Sequence, residues 1–94
     1  MAERQYHRLV TVDSSPVQGE GSFVRFKRLT WGELEPLLSA KNLDIALAMI
    51  DGWNWVDDDG NPIPVESAQG VLIQQEIDWL VQQAVALRET ERKN

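Results

Sequence analysis

The stretch "SFVRFKRLTWGELEPLL", residues 22–38, changes its apolar period halfway along. Up to Leu29 the side chains alternate. Phe23, Arg25 and Lys27 point one way, and Val24, Phe26 and Arg28 point the other, which is the period of a β-strand. From Thr30 the period lengthens, and Trp31, Leu34, Leu37 and Leu38 fall on one helical face. Thr30 and Glu33 have the spacing of a capping box. The hydroxyl accepts from the Glu33 amide, and the carboxylate reaches back to the Thr30 amide. Pro36 lies beyond the first helical position, so this helix is expected to be short or irregular. With strands upstream of this switch and helices downstream, the class is expected to be α+β.

Upstream, "YHRLVTV" (residues 6–12) also alternates, and Asp13 with the following "SSPVQGEG" (residues 14–21) is rich in turn formers. Residues 6–29 therefore read as an antiparallel strand pair joined by a long, mobile connection, with the register open. Downstream, residues 31–51 hold two short helices. In the second, "NLDIALAMI", Leu43, Leu47 and Ile50 share a face, as do Ala46 and Met49, before Asp51-Gly52 stops it. Residues 52–66 form a loop rich in tryptophan and aspartate. Residues 67–92 read as one long amphipathic helix without proline. Its apolar seam is Ile73, Ile77, Leu80, Ala84 and Leu87, widened by Trp79, Val81 and Val85. The end, "RETERKN", is polar and is expected to fray.

At 94 residues the chain is expected to be a single domain with a small core. Cysteine is absent, which rules out disulfides, thiolate metal sites and thiol nucleophiles. The apolar runs are too short to cross a bilayer. Net charge is −6, divided into +2 over residues 1–30 and −8 over residues 31–94. An acidic whole disfavours nucleic acid, whose phosphates need a cationic surface.

The loop "GWNWVDDDGNPIPV", residues 52–65, invites three readings. As an EF-hand it would place Gly60 sixth, Asp57 third, Asp59 fifth and Glu66 twelfth. Its first position would then be Trp55, which offers no side-chain oxygen, and Pro62 and Pro64 stiffen the second half. As a turn, Asp59-Gly60 supplies a positive φ. As a binding element, Trp53 and Trp55 point to the same side of an extended segment. They either anchor the loop on the core or contact a partner, since tryptophan is enriched at binding hot spots.

Taken together, "VRFKRLTWGELEPLL", "DGWNWVDDDGNPIPV" and the helix bearing "QEIDWLV" resemble the tail assembly chaperones of long-tailed bacteriophages, over most of residues 22–85. The resemblance implies a non-enzymatic factor that binds the tape-measure protein and recruits tail-tube subunits in the host bacterial cytoplasm. It also implies absence from the mature virion. Residues 1–94 look like the short form of a pair whose long form arises by frameshifting. The terminal "RKN" is compatible with a slippery A-AAA-AAC run. Two other roles fit the same residues: a structural head–tail connector or minor tail component, and a small nucleic-acid-binding module.

No catalytic set converges. His7 is the one histidine, far short of a triad or a zinc site. Glu76 and Asp78 do not share a helical face. "QGEG" lacks the lysine and helix start of a phosphate loop. The basic cluster Arg4, Arg8, Arg25, Lys27 and Arg28, with Phe23 and Phe26 interleaved, reads either as a stacking platform or as a solvated strand face. No catalytic residue, cofactor or metal is therefore expected. Partner contact is expected at Trp53, Trp55, Trp79, Ile77, Leu80 and Val81, with one stripe of the seam facing inward.

Overall fold

The computed structural model describes residues 7–92, with side chains through residue 88; Arg4, Tyr6 and the last two residues of the polar end lie outside that range. It is an α+β domain of two layers. A three-stranded antiparallel sheet, in the order β1 (Leu9–Asp13), β2 (Phe23–Lys27), β3 (Ile50–Trp53), is covered on one face by helices. Among the described residues no helix is long and apolar enough to cross a membrane.

The alternation read in residues 22–29 sets the sheet. Val24 and Phe26 are fully buried, while Phe23 and Arg25 face out. Val12 sits opposite Val24 and Val10 opposite Phe26, so the inward faces of β1 and β2 coincide. The connection between them is ordered, contrary to the expectation of a mobile loop. Asp13 accepts from the Ser15 amide at 2.9 Å, and Pro16 occupies the first turn of a one-turn helix, α1 (Ser15–Gln18). A short polar side chain feeding its own backbone, followed by a proline with preset φ, is enough to start a helical turn.

Both halves of the Thr30–Glu33 capping box form, at 3.2 and 2.8 Å, and open α2 (Trp31–Leu34). Pro36 then forces a 3-10 turn over Glu35–Leu37, as its position demands. Leu34 and Leu37 are half-buried against the core, but Trp31 and Leu38 stand outside it. Glu33 also meets Arg8 at 2.7 Å. The Thr30 amide, helped by the Thr30 hydroxyl and by Arg8, holds the Glu33 carboxyl below its ordinary value. A carboxyl with a lowered folded pKa contributes stability above the unfolded value and loses it as pH falls through the folded one. Acidification below the ordinary carboxylate range should therefore lower the melting temperature less in Glu33→Gln than in the parent chain. An equal or steeper fall in the variant would show that the box does not act through charge.

Two boundaries differ from the sequence reading. The second short helix, α3 (Asn42–Ala48), ends before Ile50, because Ile50–Trp53 is a third strand. Its core face is Ile45, Ala46 and Met49, with Leu43 and Leu47 half-buried. β3 pairs with β2 across a bulge between Arg25 and Phe26, and Asp51 on its outer face binds Arg25 at 2.7 Å. Four residues that include aspartate and glycine carry almost no strand signal of their own; pairing with β2 creates the strand.

The second difference is at residues 67–92, which are not one helix. A 3-10 turn (Val65–Ser67) leads to α4 (Ala68–Val71). The chain then extends at Leu72 and restarts as α5 (Gln74–Arg92). Glu76, in the third position of α5, reaches back to the Ile73 amide at 3.0 Å. That is the carboxylate half of a capping box, and it lets a new helix begin without a polar residue at Ile73. Gly70 further weakens continuity. Behind the break, Leu80 and Ala84 fill the core as α5 lies against α3, with Ile77 and Leu87 half-buried. The seam therefore turns toward its own domain, and Ile73 drops out of it, 59% exposed.

Candidate functional site

The tryptophan motif sits where the sheet, the hairpin and α5 meet. Trp53 ends β3, and Trp55 follows on the same side, as period two requires. Their indoles stack with centroids 4.5 Å apart and planes 1° from parallel. Trp79 of α5 leans on Trp55 at 6.1 Å and 45°. Such pairs add about 0.5–1.5 kcal/mol each beyond the area they bury. Both inner indole N–H groups are satisfied. Trp53 donates to the Ile63 carbonyl at 2.7 Å, and Trp55 donates to the Ser14 hydroxyl at 2.9 Å. Ser14 is itself fully buried and bonded to Ser22 at 2.7 Å.

Asn54, between the tryptophans, points outward and prolongs the sheet. Its amide group accepts from the Phe23 N–H at 2.9 Å and donates to the Gly21 carbonyl at 3.0 Å. The motif thus splits by function: indoles inward to the core, amide outward to the strand edge.

The aspartate run is a closed hairpin tip. Ile63 donates to the Trp55 carbonyl at 3.0 Å, Val56 bridges to Pro62, and the Asp57 amide donates to the Asn61 carbonyl at 2.9 Å. One oxygen of Asp57 accepts from the amides of Asp59 and Asn61, at 2.9 and 3.0 Å. Gly60 completes the turn with φ near 82°, a value that favours glycine. The turn reading is the one realised. Among the described residues, no group of three acidic or histidine side chains is placed to hold a metal.

Gln18 ties the hairpin to the rest. Its side-chain amide pairs with Val56 as a strand would, donating to the carbonyl at 3.1 Å and accepting from the N–H at 3.2 Å. Its second N–H goes to Glu76 at 2.6 Å. Glu76 is buried, and its two oxygens serve Gln18 and the Ile73 amide. One glutamine thereby fixes α1, the hairpin and the start of α5 together.

These three walls enclose a groove of about 500 Å³, lined by Val17, Gln18, Val56, residues 57–59, Ile63, Val71, Ile73 and Glu76. Val56, Val71 and Ile73 are exposed there, at 39%, 47% and 59%. Its rim is acidic.

The six residues expected at a partner surface divide. Trp55 and Leu80 are buried, at 1% and 0%, so neither is a surface group; each is a core anchor. Trp53, Trp79 and Val81 are half-buried and pack along the core's edge, and Ile77 is half-buried. The strongly exposed tryptophan is Trp31, at 64%, which helical periodicity assigns to a core face. Sequence reasoning also misses the groove, because Val56 lies on the hairpin while Val71 and Ile73 lie at the α4–α5 junction, and Gln18 and Glu76 tie the two together. One local signal is present: Glu76 stands three residues after Ile73, the spacing of a helix restart.

His7 is exposed, and its carbonyl accepts from Arg28 at 2.6 Å. Arg8 and Arg25 are engaged by Glu33 and Asp51. The strand-face cations are thus partly neutralised within the fold.

In comparisons with known proteins, the chain matches no family model, no curated protein and no solved structure.

Proposed function

We propose that this chain is a non-catalytic assembly factor of the tail assembly chaperone kind. It grips the tape-measure and tail-tube proteins of a long-tailed bacteriophage in the host bacterial cytoplasm while the tail is built. The observation that carries this reading is where apolar surface is left over. Of seven large apolar side chains that stand exposed among the described residues, three line one groove beside the tryptophan hairpin. Single exposed apolar residues are ordinary, whereas aliphatic side chains gathered in a concave site are the usual lining of a binding cleft. A small core that buries Trp55 and Phe26 completely yet leaves Val71 and Ile73 outside favours a polypeptide partner. The resemblance in residues 22–85 supplies which polypeptides.

The test is co-expression of the chain with the tape-measure and tail-tube proteins of the phage that would encode it, followed by affinity capture and by mass spectrometry of purified particles. Capture of either protein, with the chain missing from finished particles, is the expected result. Stoichiometric presence in particles would instead make it a structural connector or minor tail component. Capture of neither protein would end the tail-assembly reading. The paired state of Arg8 and Arg25 weighs against the nucleic-acid module.

A further inference from the structure

We propose that the groove between α1, the hairpin tip and the α4–α5 junction receives a short polypeptide segment in which a lysine or arginine stands next to an aliphatic side chain. This rests on the polypeptide-binding role above and names the chemistry of the segment.

The groove's volume of about 500 Å³ is in the range of ligand clefts, roughly 300–1,000 Å³, and suits a few side chains rather than a folded domain. Its apolar part is aliphatic: Val56, Val71 and Ile73 present branched methyl groups to solvent. Its charged part has one sign. Asp58 and Asp59 are exposed at the rim, and neither has an ion-pair partner among the described residues. Below them, Asp57 and Glu76 direct oxygens at backbone amides and at Gln18, which leaves their negative potential in place. Among the described residues, no lysine or arginine lines the groove.

A cation on a flexible aliphatic stem matches both parts at once. The stem lies along Val71 and Ile73 while the head reaches Asp58 or Asp59. Anionic ligands, including nucleic acid and acidic lipid headgroups, meet like charge. A purely apolar segment would leave the carboxylates without gain. Complementarity of this kind raises association rates and selects partners, and it weakens with salt.

The experiment uses the isotope-labelled full chain and a short capped peptide of leucine and lysine arranged to give one apolar and one basic helical face. A peptide with glutamate in place of lysine is the control. Amide shifts are expected at Gln18, Val56, Asp58, Asp59, Val71 and Ile73, with no binding of the glutamate peptide. Ile73→Ser should weaken binding about tenfold, the value of burying part of one aliphatic side chain. The double variant Asp58→Asn, Asp59→Asn should weaken binding and flatten its salt dependence. Shifts centred on Trp31 and Leu38, equal binding of the two peptides, indifference to Ile73→Ser, or no shifts at all would each overturn the proposal. Capture of tail proteins alongside such a failure removes this inference alone. Peptide binding without capture removes the tail-assembly reading alone.

Discussion

Replacing Trp55 by alanine is expected to destabilise the domain by about 3–5 kcal/mol, the usual cost of emptying a large aromatic site. A domain of this size has only about 5–14 kcal/mol in total, so the variant should melt near ambient temperature or fail to fold. The cost has three sources. The indole is 1% exposed and touches both Trp53 and Trp79. Its removal opens a cavity that the paired strands cannot collapse to fill. It also strips buried Ser14 of its indole donor. Trp55→Phe separates these effects. Most of the volume returns, but the donor does not, and a residual loss of about 1–2 kcal/mol should remain. Thermal and denaturant melts of the purified variants measure both. A Trp55→Ala chain as stable as the parent would mean that the stacked arrangement is not what holds the hairpin down.

The second large effect concerns α5. Leu80→Ala should lose about 2–5 kcal/mol, because the side chain is fully enclosed by α3 and the sheet. Ile73→Ser, at the start of the same apolar seam, should be neutral or raise stability by about 0.5–1 kcal/mol. The reason is the helix restart: Ile73 precedes the first residue of α5, where serine can accept an amide hydrogen bond that isoleucine cannot. Two residues on one sequence stripe should thus respond in opposite senses. Paired urea melts decide it, and a loss of several kcal/mol in Ile73→Ser would restore the continuous helix.

The contrast between Leu80 and Ile73 marks how far a local pattern reaches. The β1–β2 pair was legible because residues 22–29 alternate cleanly, and alternation is a local property. The capping box at Thr30 and the shortening at Pro36 were legible for the same reason. β3 was not, since residues 50–53 acquire extended geometry only by lying against β2. The break at residues 72–73 was hidden because no proline marks it, while its cause lies in one glutamate's choice of amide. The tryptophans were correctly read as sharing a side. Sharing a side does not say which side faces water, and the core took Trp55. Trp31 went the other way. Its helix is too short for periodicity to fix an orientation, and the half-buried positions Leu34 and Leu37 use up the face toward the core.

The Gln18 side chain crosses between segments that are 38 and 58 residues away along the chain. A mouth clamped in this way cannot gape or narrow without surrendering its own bonds to Val56 and Glu76. A segment bound as proposed would meet a groove already held in shape, and its docking would freeze little further motion in the host. Capture and release would then be governed by how well the visitor fits and by the salt around it. On the proposed assembly role, no slow rearrangement of the receptor would set the pace.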